Sequence, residues 1–170
     1  LFRRVYKAPK RNEKINLLIL GGSLGSVILS RSLSTQICLL PPKIKRRLHI
    51  FHQSKKDDIK YISSQYRNNQ ISSEVKSYFN NIHKKLHDTT LVICRAGAST
   101  ISENLISGLP AIYIPLSNSI DNHQLLNAEM IKSYNAGRII NENEISKEKF
   151  LNLLTDLLNS NSLLEKMSRN

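Results

Sequence analysis

The sequence has only two cysteines, no tryptophan and no long apolar run. Because Cys38 and Cys94 lie far apart, they do not form the disulfide framework that small secreted domains need, and we expect a reducing, cytoplasmic setting. No stretch approaches the roughly 18 apolar residues that a membrane-spanning helix requires, and no signal-type apolar region follows the basic N-terminus. These absences predict a protein that is soluble or peripheral to a membrane.

Acidic residues are also scarce. There are 13 of them against 25 lysines and arginines, which gives a formal net charge of +12 at pH 7. Such an excess predicts attraction to anions, whether nucleic acid, acidic lipid or a phosphorylated small molecule, and it does not choose among them. The densest basic run, 43–47, also fits a plain solvated surface, and an AT-rich genome produces the same bias.

The 170 residues are typical of one domain with a sizeable apolar core. Strand-length apolar runs alternate with longer segments that have helical spacing, and several of the runs are continuously apolar. This alternation indicates an α/β domain with a doubly wound parallel sheet, covered by helices on both faces. The predicted strands are 15–20, 48–52, 74–79, 91–94, 111–114 and 138–140.

Four segments show the apolar periodicity of helices. A further helical segment follows the glycine-rich stretch 21–26, and Pro41 and Pro42 interrupt the chain between that segment and the second strand. Gly108 closes a later helix. The residues that mark the four helices are, in order, Ile59, Ile62 and Tyr66; Leu105; Leu125, Leu126, Met130 and Ile131; and Leu151, Leu154, Leu157 and Leu158.

Ligands of doubly wound domains bind outside the carboxyl ends of the strands, which directs attention to the loops after Leu20, Phe79, Cys94 and Pro115. The first of these loops, 21–26, reads Gly-Gly-Ser-Leu-Gly-Ser. Its glycines allow backbone amides to approach a phosphate closely, and the helix that follows adds favourable partial charge.

A tight turn capped by Ser26 is the structural alternative for that loop. A P-loop is excluded because no Gly-Lys-Ser/Thr follows. The second strand ends in 51–53 without the acidic residue that a dinucleotide-binding domain places there, which disfavours an NAD oxidoreductase.

A second candidate, 94–103, again follows a buried strand and opens a helix. The amides of Ala98, Ser99 and Thr100 should face the ligand crevice. Glu103 lies one turn further on the same helix face, where its carboxylate can accept hydrogen bonds from both hydroxyls of a ribose. The alternative is a capping box over 100–103, in which Glu103 bonds only backbone amides.

A third candidate is 121–124, Asp-Asn-His-Gln, with Asn127 one turn later. Side-chain amides and an imidazole suit sugar hydroxyls, although Asp121 or Asn122 could serve only as a helix cap.

Metal binding has little support in the sequence. His83 and His87 have the i, i+4 spacing of zinc ligands, but no third ligand is evident and 84–85 is a pair of lysines. No Asp-x-Asp pattern suggests a metal-bound diphosphate. We therefore expect no metal.

The loops become more specific when they are taken in order. The series is GGSLG at 21–25, HQS at 52–54, CRAGA at 94–98 with Glu103, GLPA at 108–111, DNHQ at 121–124 with Asn127 and Ala128, and AG at 136–137. This order resembles the C-terminal domain of MurG-type N-acetylglucosaminyltransferases over nearly the whole chain. The resemblance implies a GT-B fold, with 1–170 as the donor-binding domain and an N-terminal acceptor and membrane domain outside this chain.

The resemblance also assigns roles to residues. Ser23 would contact the diphosphate, the backbone at Phe79 the uracil and Glu103 the ribose, while His123 and Gln124 would reach the sugar. Two positions depart from the family pattern: Leu24 stands where glutamine is familiar, and Phe79 where a smaller aliphatic is common. The full predicted substrate-binding set is Gly22, Ser23, Phe79, Arg95, Ala98, Ser99, Thr100, Ile101, Ser102, Glu103, His123, Gln124 and Asn127.

The implied reaction is inverting transfer of N-acetylglucosamine from its UDP donor to a lipid-linked muramyl-pentapeptide in peptidoglycan synthesis. The resemblance implies no cofactor and a location at the cytoplasmic face of the bacterial inner membrane. It also implies two partners of the N-terminal domain, namely an anionic membrane surface and the lipid-linked acceptor. The presumed base lies there too, so this chain alone would bind donor without turnover and holds no catalytic residue.

Other functions stay open. A stand-alone donor subunit of lipid-linked-oligosaccharide synthesis is closely related, although 52–54 and the Arg95 loop favour the bacterial family. A UDP-sugar epimerase with the same fold is less favoured. The charge permits a nucleic-acid-binding module, but such modules use aromatic platforms or a recognition helix, and aromatics here are sparse and scattered. We expect no nucleic-acid partner.

Overall fold

The computed structural model describes residues 5–10, 12–21, 27–117 and 122–170. Its strands are β1 (Ile15–Leu20), β2 (Leu48–Gln53), β3 (Ser72–Lys76), β4 (Leu91–Cys94), β5 (Ala111–Tyr113) and β6 (Gly137–Ile139). They form one sheet in the order β3-β2-β1-β4-β5-β6, and every neighbouring pair is parallel. This is the strand order of a Rossmann-like, doubly wound domain, and the predicted fold class is confirmed.

Eight α-helices connect or follow the strands in the described residues. Two of their bounds follow from single residues: Pro42 occupies the first helical position of the second helix, and Gly108, at φ 59°, follows the end of the fifth. The helices are α1 (Val27–Cys38), α2 (Pro42–Lys45), α3 (Ile59–Asn68), α4 (Ile82–Asp88), α5 (Ala98–Ile106), α6 (His123–Ser133), α7 (Glu148–Asn159) and α8 (Asn161–Arg169).

The sheet buries a different core on each of its two faces. Side chains alternate along each strand, so in β1 Leu17 and Ile19 point to one face while Leu18 points to the other. On the first face the strands pack against α1, α3, α7 and α8. On the second face they pack against α4, α5 and α6. Both faces are therefore covered, which explains why the central strands are almost wholly apolar.

The edge strand β3 differs from its prediction. The strand was expected at 74–79, but it spans Ser72–Lys76 and pairs with β2 from Ser72 opposite His49 to Lys76 opposite Gln53. Its residues are at least partly exposed and mostly polar, so the apolar signal at Tyr78 and Phe79 shifted the predicted strand towards the C-terminus. Phe79 consequently lies in the loop beyond the carboxyl end of the strand.

The two later helices had different outcomes. In α7 the predicted residues Leu154, Leu157 and Leu158 are buried. In α6 the predicted apolar face is only partly correct: Ile131 is buried, but Leu126 and Met130 are 59% and 51% exposed. The inward side of α6 is built from Ala128 and Ile131, together with polar residues near its N-terminus. A mixed polar and apolar face gives little periodic signal.

Candidate functional site

The carboxyl edge of the sheet brings the predicted loops to one place. Leu20, the last residue of β1, lies opposite Gln53 of β2 and Cys94 of β4, and Cys94 lies opposite Tyr113 of β5. The loops after β1, β2, β4 and β5 therefore leave the sheet side by side. The strand order reverses between β1 and β4, and in folds of this type the ligand crevice opens at that point.

The glycine-rich loop is only partly within the described residues. Gly21 is buried directly after β1 and beside the end of β4. The predicted contacts Gly22 and Ser23, the departure at Leu24 and the alternative cap Ser26 all lie outside the described residues. Asp121 of the third candidate lies outside them as well.

The first turn of α5 presents unbonded amides at this edge. The first intrahelical hydrogen bond runs from the amide of Ile101 to the carbonyl of Gly97 at 3.0 Å. The amides of Ala98, Ser99 and Thr100 precede it and have no carbonyl partner within the helix. Ala98 and Ser99 are also exposed. Together with the helix dipole, these amides form a surface suited to a phosphate or another anion.

Glu103 lies one turn beyond those amides and is half-buried. Because it follows Ser99 by four residues and Thr100 by three, it shares their face of α5. The capping-box alternative is wrong, since α5 begins at Ala98, Gly97 is the N-cap and no side chain caps it. The Glu103 carboxylate is therefore not committed to the helix N-terminus.

Two other predicted residues of α5 have local roles in the structure. Ile101 is buried in the core of the second face, and its amide bonds Gly97. The Ser102 hydroxyl donates to the carbonyl of Ala98 at 2.9 Å. Their predicted place in the substrate-binding set stays a prediction, and these contacts leave them less to offer a ligand than Ser99 or Thr100.

The start of α6 is tied to the neighbouring loops by two amide side chains. Oε1 of Gln124 accepts a hydrogen bond from the amide of Leu116, in the loop after β5, at 3.1 Å. One turn further, Nδ2 of Asn127 donates to the carbonyl of Ala96, in the loop after β4, at 3.2 Å. The second and third candidate segments are thus in direct contact.

Asn122 and His123, which directly precede Gln124, are exposed. Asn122 adopts a left-handed conformation with φ 54° and makes no side-chain cap hydrogen bond, so the predicted alternative of a cap at Asn122 is wrong. His123 is exposed at the first position of α6, which follows the loop that leaves β5 at the carboxyl edge of the sheet.

Arg95 is buried and bonded to protein groups. Its Nη1 donates to the carbonyls of Ile114 and Pro115 at 3.1 and 3.3 Å, and its Nη2 pairs with Glu142. Glu142 belongs to a short 3₁₀ helix after β6, and its second oxygen accepts from the Ser117 hydroxyl at 3.2 Å. The substrate role predicted for Arg95 stays a prediction, while these contacts hold the loop after β5 in place.

Phe79 lies at the carboxyl edge beside β3, with its ring in the core and its backbone in the loop. The ring is 4% exposed and meets Phe51 edge-on, with ring centres 6.3 Å apart. Nζ of Lys85 lies 3.9 Å from the Phe51 ring centre and pairs with Glu74 at 2.7 Å. A cavity of about 390 Å³ opens here. A large side chain at position 79 is thus compatible with a ligand contact through the backbone.

Several polar groups are buried beneath the site. Nδ1 of His52 bonds the Tyr66 hydroxyl at 2.9 Å, and burial lowers the pKa of His52 to about 3, so its ring is neutral. Burial raises the pKa of the Cys94 thiol to about 12. Asn104, also buried, lies within 3.5 Å of the Cys94 sulfur and 3.4 Å of the Tyr113 hydroxyl. These groups are buried, and their contacts join neighbouring strands and helices within the core.

Cavities are present at both ends of the sheet. One of about 480 Å³ lies between the loop after β5 and the segment after β6, beside Leu116, Ser117 and Glu142. Another, of about 500 Å³, is lined by Val5 and Glu165, among others, and lies away from the carboxyl edge. Of these two cavities, the first lies at the carboxyl edge, where ligands of this fold bind.

The described part of the chain has neither a cluster of metal-ligating side chains nor a membrane-spanning helix. It contains no group of three or more His, Cys, Asp or Glu side chains arranged to hold a metal ion. His83 and His87 are both exposed on α4, and His87 contacts Asp88 at 3.1 Å. None of the helices in residues 5–10, 12–21, 27–117 and 122–170 has the length and apolar character to cross a membrane.

The sequence analysis missed Ser117 and Glu142. Both lie in loops that follow strands at the carboxyl edge, one after β5 and one after β6. The rule that directed attention to the other loops applies equally to β6, so the polar run 141–144 was a usable signal. What the sequence could not give is the pairing of Glu142 with Arg95, 47 residues earlier.

Comparisons with known proteins agree with this arrangement. The model of the glycosyltransferase family 28 C-terminal domain matches residues 16–170. The chain is 39% identical over 165 residues to the UDP-N-acetylglucosamine--N-acetylmuramyl-(pentapeptide) pyrophosphoryl-undecaprenol N-acetylglucosamine transferase of Rickettsia canadensis, with 96% of this chain and 47% of that protein covered. It is 34% identical over 168 residues to the transferase of the same name from Anaplasma marginale, with 99% and 47% covered.

A solved structure is also similar. The crystal structure of MurG from Acinetobacter baumannii superposes with a TM-score of 0.83 at 27% identity, and the match covers 99% of this chain and 50% of that one. The chain thus spans about half the length of the relatives it matches.

Proposed function

The chain belongs to the glycosyltransferase family 28 C-terminal domain family, and on this premise we propose that it is the donor-binding half of a transferase that uses UDP-N-acetylglucosamine. The names of the two relatives given above describe transfer of N-acetylglucosamine to an N-acetylmuramyl-pentapeptide on pyrophosphoryl-undecaprenol. Family membership confirms the resemblance found in the ordered loops. The activity of the parent enzyme is the part that we propose.

One observation carries the proposal for this chain. The first turn of α5 stands at the carboxyl end of the central strand β4, with three unbonded amides at Ala98, Ser99 and Thr100 and a half-buried carboxylate at Glu103 on the same face. A nucleoside diphosphate offers both complements, because its phosphates accept from amides and its ribose hydroxyls donate to a carboxylate. The predicted diphosphate contact Ser23 and the predicted substrate contact Gly22 follow β1 in the sequence and lie outside the described residues.

The uracil and the sugar would lie on opposite sides of that turn. We place the uracil beside the backbone of Phe79, at the cavity next to β3. We place the sugar at the start of α6, where His123 is exposed and Gln124 and Asn127 are tied to the loops after β5 and β4. An imidazole and two side-chain amides offer hydrogen-bond donors and acceptors, which suit hydroxyl groups.

The contribution of this half to catalysis would be electrostatic. As the acceptor hydroxyl attacks the anomeric carbon, negative charge accumulates on the departing UDP. Amides at a helix N-terminus that already point at the diphosphate stabilise that charge without reorganising. Because these amides and the basic excess supply positive charge, we propose binding without a metal or other cofactor.

The remaining parts of the reaction would lie in the other half of the parent enzyme. The acceptor site and the general base are proposed there, so this chain alone should bind donor and not transfer sugar. An acceptor on a lipid carrier implies work at a membrane surface, and the net charge of +12 favours an anionic one. We propose a peripheral location at the cytoplasmic face of the bacterial inner membrane.

The test is calorimetric titration of the 170-residue chain with UDP, UDP-N-acetylglucosamine, ADP and NAD. We expect the uridine ligands to bind selectively. Glu103→Ala should weaken UDP binding about ten- to a hundredfold, since a hydrogen bond to a charged group contributes about 1.5–3 kcal/mol. Glu129→Ala, which removes an exposed carboxylate on α6, is the matched control and should leave affinity unchanged.

Three results would contradict the proposal. Equal binding of ADP, NAD and UDP would remove the uridine specificity. Unchanged UDP affinity in a folded Glu103→Ala protein would remove Glu103 from the ribose site, and sugar transfer by the 170-residue chain alone would contradict the division of roles between the two halves.

A further inference from the structure

The four residues 114–117, which follow β5, are each held by a side chain or backbone contact from another part of the carboxyl edge. Arg95 donates to the carbonyls of Ile114 and Pro115. Gln124 accepts from the amide of Leu116, and Ser117 donates to Glu142. Contacts from three separate parts of the chain therefore determine the position of this loop.

The Arg95–Glu142 ion pair is central to this set. The Arg95 side chain is 10% exposed and that of Glu142 is 31% exposed, and the two meet through Nη2 and Oε1. A buried guanidinium is strongly unfavourable without its carboxylate. Glu142 therefore holds Arg95 in the orientation in which its other nitrogen reaches the loop, and its second oxygen holds the loop directly through Ser117.

The loop in turn determines which end of Gln124 points outwards. The amide of Leu116 is a donor, so the atom of Gln124 that meets it must be the carbonyl oxygen. The NH₂ group of Gln124 is then the end that remains for a ligand. An NH₂ group donates to hydroxyl or carbonyl oxygens, both of which an N-acetylated sugar carries and bare UDP lacks at that position.

We propose that the Arg95–Glu142 pair is a positioning device for sugar recognition: it fixes the loop 114–117, the loop fixes Gln124, and the pair thereby sets the preference for UDP-N-acetylglucosamine over UDP. Neither charged residue contacts the sugar in this arrangement. The inference rests on the proposed function, because it assumes that the sugar of a UDP-sugar lies at the start of α6.

The experiment measures affinities of the 170-residue chain for UDP and for UDP-N-acetylglucosamine in wild type and in Glu142→Ala. We expect UDP affinity to change less than twofold, and UDP-N-acetylglucosamine affinity to fall about three- to tenfold, as loss of one neutral hydrogen bond implies. The ratio of the two affinities is the readout, because a general structural defect would lower both together.

Two further variants make the result specific. Glu142→Gln keeps an oxygen that can accept from Arg95 and an amide that can donate to Ser117, so it should restore most of the lost preference. Glu148→Ala is the matched control: it removes an exposed carboxylate six residues further along the chain, at the start of α7, and the affinity ratio should not change.

Each outcome bears on the proposal. A reduced ratio in Glu142→Ala with rescue by Glu142→Gln supports it. Parallel loss of both affinities, or no change in either, overturns it, and if Glu142→Ala does not fold, an unchanged ratio in Arg95→Lys overturns it equally. Failure of the wild-type chain to bind UDP would instead overturn the proposed function itself, and the inference with it.

Discussion

The two faces of the sheet are built differently. The first face packs large aliphatic residues of the strands against α1, α3, α7 and α8, and Phe150 and Leu154 are fully buried within it. The apolar cluster on the second face has fewer buried members and includes small residues such as Ala96, Ala111 and Ala128. Polar contacts from Asn104, Gln124, Asn127 and Arg95 connect its helices and loops.

This difference indicates that the first face mainly stabilises the fold, whereas the second face mainly positions the residues of the candidate site. Non-directional burial of apolar surface stabilises the first face, and it tolerates small displacements. On the second face, hydrogen bonds and ion pairs such as Arg95–Glu142 add to the apolar packing, and these contacts depend on direction and distance. The candidate site lies where the second face meets the carboxyl edge, so the parts that must be placed accurately for a ligand are those with directional contacts.

The largest expected effect on the free energy of unfolding comes from truncating a side chain on the first face. Phe150→Ala should lower the free energy of unfolding by about 3–5 kcal/mol, because it removes a fully buried ring and leaves a cavity. Urea denaturation followed by circular dichroism measures the change. Tyr134→Ala, at a ring that is 67% exposed at the end of α6, is the control and should cost less than about 0.5 kcal/mol. If both variants lost a similar free energy of unfolding, burial on the first face would not be a special source of stability, and the distinction between the two faces would fail.

The second prediction concerns acid, and it tests the one buried imidazole next to the first face. His52 is neutral in the fold, with its pKa lowered to about 3 by burial, whereas an unfolded histidine titrates near about 6.5. Below that value the unfolded chain takes up a proton that the folded chain refuses. The contribution of neutral His52 to the free energy of unfolding is therefore fully present above about pH 6.5. It is lost as the pH falls, by about 2 kcal/mol between pH 7.5 and 5.

The variant His52→Gln isolates this effect. Glutamine can still bond the Tyr66 hydroxyl, but it does not titrate, so the variant should lack this part of the acid-induced loss. His49, whose pKa is lowered chiefly by burial, is present in both proteins and cancels in the comparison. Urea denaturation at several pH values checks the slope, and an identical pH dependence in the two proteins would show that His52 is not the cause.

The sequence predicted the first face better than the second. Continuous apolar runs and the leucine spacing of α7 fix the central strands and that helix, because burial leaves a periodic pattern. The failures lie elsewhere. The edge strand β3 is polar and half-exposed, and α6 turns Gln124 and Asn127 inwards where Leu126 and Met130 were expected. Directional polar contacts between distant segments leave no periodicity.

The candidate site shows the same division. The rule that ligands bind at the carboxyl ends of strands was sufficient to predict which loops meet, and the spacing of Ser99, Thr100 and Glu103 was sufficient to predict a shared helix face. The start of α5 could not be decided, because Gly97 and Thr100 are both acceptable N-caps by residue type. The partner of Arg95 could not be decided either, since an ion pair across 47 residues depends on the whole fold.

The smallest expected effect is on the outer side of α6. Leu126 and Met130 are more than half exposed, so replacing both with glutamine should change the free energy of unfolding by less than about 0.5 kcal/mol each and leave UDP affinity unchanged. Ile131→Ala, in the same helix but 3% exposed, should cost about 2–5 kcal/mol. A loss in the double variant as large as that of Ile131→Ala would mean that the outer side of α6 is covered in solution. The second face would then be a complete apolar layer, and directional contacts would no longer set it apart from the first.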